Sequence, residues 1–178
     1  KGAVHGKQSF QQAYANSCNC AFAEMADALG RQAILSAAER LGFNQDFIFT
    51  EMQMSRSSYE PAAKDSELNF VWSAVGQFKD ITTPLHMCLI TGSVANGGSM
   101  MEPKLMKAVL NSQNVPYKKL SSSKYMTAMS TSEAEPLREM MVLAVESGTG
   151  KSARVNGKTV GGKTGTAEVS NDKNVKPH

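Results

Sequence analysis

Two short stretches carry residue types that could do chemistry. The first is Ser17-Cys18-Asn19, ahead of an apolar helical pattern. It offers a hydroxyl and an amide about one helical turn apart in reach. A hydroxyl touching both a lysine and a leaving nitrogen relays a proton, and an amide holds a carbonyl or steers a lysine. The second is Gly162-Lys163-Thr164-Gly165-Thr166-Ala167-Glu168. Glycine weakens a strand interior and leaves nothing to pack, so a glycine-rich stretch makes sense where another backbone must lie close by. Such an edge pairs with an extended peptide through main-chain bonds. Lys163 adds a charge for a carboxylate or for lowering a neighbouring hydroxyl's pKa, and Thr164 and Thr166 add hydroxyls.

The elements that must position these residues read as mostly helical. Phe22, Met25, Ala26 and Leu29 recur at helical spacing after Ser17, with Gly30 as a left-handed stop. Gln32 to Leu41 gives a second short helix with Ile34, Leu35, Ala38 and Leu41 inward, forming a helical hairpin with the first. Residues 44–67 read as a loop-rich excursion. Thr83 is an N-cap and Pro84 a first helical residue; Leu85, Leu89, Ile90 and Val94 follow, halted by Asn96-Gly97-Gly98. A further helix is predicted shortly after Pro103, and 111–131 as a polar connection. Ser132-Glu133-Ala134-Glu135 fits a capping box, with Pro136 harmless in the first turn. A helix over 133–147 then buries Leu137, Met140, Met141, Ala144 and Val145. Thr159 to Val169 reads as a glycine-rich strand.

Composition narrows the classes. The 178 residues are 41% hydrophobic and 20% charged, enough for one cored domain and unlike a disordered chain. The 11 methionines fall mainly inside helical patterns, as core filler. Net charge is +3, with 7 Lys/Arg against 9 Asp/Glu over 1–100 and 12 against 7 over 101–178. The basic half lacks interleaved aromatics that would stack bases, which argues against nucleic acid. Cys18, Cys20 and Cys88 give no disulfide framework, and the two-residue spacing of the first pair puts them on different helix faces, unsuited to a metal. The histidines His5, His86 and His178 have no metal-like spacing, so no metal or cofactor is expected. His86, in an apolar helix, reads as a structural residue. No stretch reaches the roughly 20 apolar residues of a membrane span.

Taken with their surroundings, the two motifs resemble those of the penicillin-binding protein and serine β-lactamase superfamily, whose set is S-x-x-K, S-x-N and K-T-G. Asn16 to Asn19 followed by Phe22, Ala26, Leu29 and Gly30 is similar to the family's helix after S-x-N. Ile81 to Met87, then Ala95-Asn96-Gly97-Gly98 and Pro103, resembles its "TPL…ANGG…P" region. Gly148-Thr149-Gly150 and Gly162 to Glu168 resemble "GTG…GKTGTAE", with an ending closer to class B enzymes than to class A. The resemblance covers about residues 10–170.

It implies an α/β (α+β) fold, here a mostly helical part of the β-lactamase/transpeptidase-like fold over residues 1–178, with the K-T-G strand as edge of an incomplete antiparallel sheet. It implies a peptidoglycan D,D-transpeptidase acting on D-Ala-D-Ala stem peptides and acylated by β-lactams. In it Ser17, Asn19 and Lys163 are catalytic, and Thr164, Gly165 and Thr166 bind substrate, the Thr166 N–H serving the oxyanion hole. The nucleophile's S-x-x-K is expected upstream. The one literal match, Ser121-Ser122-Ser123-Lys124, lies out of the family's order and reads as chance, so the 178 residues are expected to be inactive alone. The longer protein would be membrane-anchored with this part outside the cytoplasm. An exposed K-T-G edge would favour self-association. A β-lactamase or β-lactam sensor, and a non-catalytic binding module of the same fold, remain as alternatives.

Overall fold

A computed structural model describes residues 5–61 and 66–165. Among them the order is α1 (Phe10–Ala15), α2 (Asn19–Leu29), α3 (Arg31–Arg40), α4 (Glu67–Ala74), α5 (Pro84–Ala95), β1 (Ser99–Met101), β2 (Ala108–Leu110), β3 (Pro116–Lys119), β4 (Lys124–Thr127) and α6 (Thr131–Glu146), then a 3-10 turn at Lys151–Ala153. This is the mixed, mostly helical α/β architecture expected from the sequence.

The core forms where α5, α6 and the β1–β4 pair meet the 47–49 loop. Phe47, Phe49, Val94, Met100, Ala128, Met129, Ala134 and Met141 are buried together there. α5 starts as its residues dictate: the Thr83 hydroxyl accepts from the His86 N–H and Pro84 stands at the first position. It ends where Gly97 and Gly98 turn left-handed (φ 60° and 91°). At Gly98 a side chain is excluded, because a Cβ would lie 2.0 Å from the Met129 carbonyl oxygen. That approach lets the Gly98 carbonyl accept from the N–H groups of Ala128 and Met129, locking the end of α5 to the β4–α6 junction.

His86 is completely buried, and its environment bears out the structural reading. Nε2 lies 2.9 Å from the Leu41 carbonyl and Nδ1 2.8 Å from Ser57 Oγ. A carbonyl only accepts, so Nε2 carries the proton and Nδ1 accepts from the Ser57 hydroxyl. Burial pushes its pKa down. Gly42 (φ 99°) passes close enough that a Cβ would stand 2.5 Å from Phe47 Cζ.

Several expectations are corrected. The helix expected shortly after Pro103 does not form. Leu105, Met106, Val109 and Leu110 mimic a helical stripe, yet the Leu105 and Met106 N–H groups donate to Glu51 Oε2 (2.7 and 2.9 Å). Ala108–Leu110 then pairs antiparallel with Pro116–Lys119. The turn between them is set by Asn111, whose side chain accepts from the Gln113 and Val115 N–H groups, and by left-handed Asn114. The region 111–131 therefore holds β3 and β4 rather than a plain connection. Every residue of β3 is exposed, so it carries no alternating pattern to read. Short helices α1 and α4 were absent from the sequence reading; side chains of Ser9 and Ser66 cap them. The capping box of α6 is Ser130 with Glu133, two residues ahead of the one read, which moves Pro136 inside the helix.

The stretch read as a strand from Thr159 has no regular secondary structure and forms no ladder over 159–165. Its close backbone neighbour is a helix: the Gly162 N–H donates to the Met141 carbonyl at 3.0 Å. A Cβ on Gly161 would sit 3.2 Å from Met141 Cβ. Among the described residues no strand lies beside it. Thr166 and the rest of the motif to Glu168 lie outside the described residues.

Candidate active site

Ser17 occupies the corner between two helices. α1 ends at Ala15 with Asn16 as C-cap. The Cys18 N–H then donates to the Ala13 carbonyl (2.9 Å) and the Ser17 N–H to the Tyr14 carbonyl (3.1 Å). This is the Schellman arrangement, which places one residue in the left-handed region, usually glycine. Here that residue is Ser17, at φ 52°. A serine in this conformation costs about 1 kcal/mol relative to glycine, and it puts a hydroxyl where glycine has none. Cys18, not Ser17, is the N-cap of α2. Asn19 opens α2, exposed, with no side-chain partner among the described residues.

Lys163, 146 residues away in sequence, closes onto this corner. Its Nζ donates to Ser17 Oγ at 2.7 Å and to the Thr164 carbonyl at 2.8 Å. It lies 5.9 Å from the centre of the Tyr14 ring, within reach of a weak cation–π attraction. Loss of water around the ammonium lowers its pKa from the ordinary lysine value, and burial likewise raises that of Tyr14. A lysine so tuned gives up a proton more readily than a solvated one. The Ser17 hydroxyl accepts from Lys163 and keeps its own proton for an incoming group. The pair has the geometry that a proton relay needs.

The turn 148–150 braces the corner from below. The Thr149 N–H donates to the Ala15 carbonyl (3.0 Å) and its hydroxyl reaches the same oxygen (3.3 Å). Gly148 is required there, since a Cβ would stand 2.1 Å from that oxygen. Thr149 Oγ1 also lies 2.8 Å from Thr164 Oγ1. Lys163 thus meets Ser17 and Thr164 meets Thr149, with Gly165 next along the described stretch, while Thr166 lies outside the described residues. The sequence reading missed Tyr14, which no motif marks, and the bracing by Thr149, although Gly148-Thr149-Gly150 had been singled out.

Ser121 to Lys124 lies elsewhere. Ser121–Ser123 connect β3 to β4, and Lys124 begins β4. The Ser123 hydroxyl donates to Glu102 Oε2 at 2.7 Å, beside Lys104. A serine and lysine one helical turn apart are therefore not realised there. Among the described residues no cluster of His, Cys, Asp and Glu could hold a metal ion, and the three cysteines are free thiols.

A serine–lysine pair at a helix corner, on a mostly helical α/β scaffold, is the arrangement of the serine acyl-transfer superfamily that the motifs resemble. Over residues 1–178 the chain matches the penicillin binding protein transpeptidase domain, and it belongs to that family. It is 29% identical over 171 residues to the peptidoglycan D,D-transpeptidase PbpA of Mycolicibacterium smegmatis, covering 96% of this chain and 34% of that protein. The structure is similar to the D,D-transpeptidase domain of a peptidoglycan glycosyltransferase from Eggerthella lenta (TM-score 0.81, 31% identity, 95% of this chain and 44% of that one). It is also similar to the penicillin G acyl-enzyme complex of penicillin-binding protein A from Mycobacterium tuberculosis (TM-score 0.78, 28% identity, 96% and 37%). The chain thus spans about a third of the curated relative's length. Among the described residues no helix is long and apolar enough to cross a membrane.

Proposed function

We propose that residues 1–178 are part of the transpeptidase domain of a peptidoglycan D,D-transpeptidase and supply two walls of its acyl-transfer site. The observation that carries this is the 2.7 Å contact between Lys163 Nζ and Ser17 Oγ, made by the two motifs whose order and spacing resemble the family's. A nucleophilic serine from outside these residues attacks the penultimate D-alanine carbonyl of a stem peptide, its hydroxyl proton passing to the lysine of its own S-x-x-K. The C–N bond to the terminal D-alanine breaks as Ser17 gives its proton to the departing nitrogen, and Lys163 replaces that proton. The acyl group then passes to the amine of a neighbouring strand. A β-lactam opens its amide on the same serine, as penicillin G has done in the mycobacterial relative. Asn19 steers substrate and the nucleophile's lysine, Thr164 and Thr166 take the substrate carboxylate, and Gly165 leaves room for its backbone.

In this reading the longer protein is membrane-anchored, with the domain on the extracytoplasmic side. The 178 residues alone do not turn over, because their one S-x-x-K match sits on a strand connection rather than a helix start. They self-associate through the stretch 159–165, whose backbone has no ladder partner among the described residues; an invariant monomer across concentrations in sedimentation would remove that element alone. The main test is labelling with fluorescent penicillin. The longer protein should label covalently, Ser17→Ala should label at least about tenfold more slowly, and residues 1–178 alone should not label. A longer protein with an intact S-x-x-K that never labels would overturn the assignment.

A further inference from the structure

We infer that Thr149 is a positioning residue for carboxylate recognition, acting through Thr164; this rests on the acyl-transfer reading above. The cleft closes into a ring of contacts: Ser17 to Lys163 at 2.7 Å, Lys163 to its neighbour Thr164, Thr164 to Thr149 at 2.8 Å, and Thr149 to Ala15 at 3.0 and 3.3 Å, two residues before Ser17. Thr149 is the member that touches both walls, and no motif role accounts for its hydroxyl.

Proton accounting gives that hydroxyl its work. Each threonine hydroxyl has one proton to donate. The Ala15 carbonyl has none, so a Thr149 hydroxyl donating to it must accept from Thr164. Thr164 is then spent as a donor. To donate to an arriving carboxylate, Thr164 must release its proton from Thr149, and Thr149 must turn its own proton from Ala15 to the Thr164 oxygen. Concerted rotations about the Thr149 and Thr164 C–O bonds convert the ring from a resting form to a receiving form, with the Thr164 oxygen held in place in both. The backbone N–H of Thr149 keeps its bond to Ala15 throughout, so the turn itself need not move.

The longer protein carries the test. Thr149→Val keeps the branched shape and the backbone bond but removes the hydroxyl. Acylation should be followed with a penicillin and with its methyl ester, which lacks the free carboxylate. The variant should lose about five- to tenfold in the second-order rate constant for the free acid, the scale of one neutral hydrogen bond. The loss should fall in the concentration dependence, with the limiting rate kept and the ester unaffected. Thr149→Ser should restore the wild-type preference for the acid. Thr164→Val should show the same loss, and the double variant no more than either single one. Equal losses for acid and ester, an unchanged preference, or additive losses would each overturn the inference. If the valine variant folds poorly, the serine variant and the Thr164→Val comparison still decide. Wild-type protein that is acylated by neither probe would instead sink the acyl-transfer reading and this inference with it.

Discussion

Two serines in this molecule sit within 2.8 Å of a basic nitrogen, and they do opposite things. Ser57 donates to His86 Nδ1 at 2.8 Å, with both residues at 0% exposure. Ser17 accepts from Lys163 at 2.7 Å at a solvent-open corner. By distance alone Ser57–His86 is as good a nucleophile–base pair as any. It is fully boxed in, however, with Nε2 committed to Leu41 and Gly42 and Phe47 pressed against it. No substrate reaches it, and its bonds satisfy groups that would otherwise be costly to bury. The Ser17 pair is the less satisfied of the two, and that shortfall is what suits it to chemistry.

The contrast can be broken most sharply at Lys163. Lys163→Ala should slow penicillin acylation of the longer protein about a hundredfold or more. It should change unfolding free energy by less than roughly 0.5 kcal/mol, as for an open surface site; comparable rates with and without the lysine would end the distinction. His86→Ala should do the reverse, costing about 3 kcal/mol by taking the imidazole partner from the Leu41 carbonyl, leaving Ser57 Oγ only its 3.4 Å contacts to Thr82 and Thr83, and opening a cavity, measured by urea denaturation. Gly148→Ala links the two regimes. Its methyl meets the Ala15 carbonyl, so about 2 kcal/mol of stability and the Ser17–Lys163 contact should be lost together.

The smallest effect concerns pH. The pKa of His86 is depressed by burial, so below its unfolded value of about 6.5 the unfolded chain binds a proton that the folded one refuses. Stability should fall as pH drops through that window. Asp80 opposes this. Burial raises its carboxyl to about 7, and Oδ2 has no partner among the described residues. The folded chain therefore binds the extra proton, and stability falls as pH rises from about 4 to 7. Asp80→Asn should add roughly 1 kcal/mol at pH 8, allowing for solvent screening of a half-buried group. It should also leave the His86 loss on the acid side unopposed, visible as a steeper fall in Tm between pH 7 and 5.

Much of this was legible in the sequence because it rests on local rules. Thr83-Pro84 opens α5, the double glycine at 97–98 ends it, and the apolar stripe from Leu137 to Val145 makes α6. The Ser17 and Lys163 motifs were marked by residue type and order. What stayed hidden was set by partners far along the chain. Glu51 takes the N–H groups that a helix after Pro103 would need, more than fifty residues away. β3 has no buried face to print a period. Ser17 bends left-handed with no glycine to announce it, and Thr149 acquires its role only when Ala15, 134 residues earlier, arrives beneath it.

The helix corner has a consequence for how sharply an atom can be aimed. Bonds from the Ser17 and Cys18 N–H groups fix the backbone on both sides of the Ser17 Cα. The oxygen is left with a single torsion, about χ1, as its only freedom. A lysine reaching the same point would bring four. Putting the shorter side chain on the stiffer mount keeps thermal wander of that oxygen to a small arc, even while its long-armed neighbour swings away and returns.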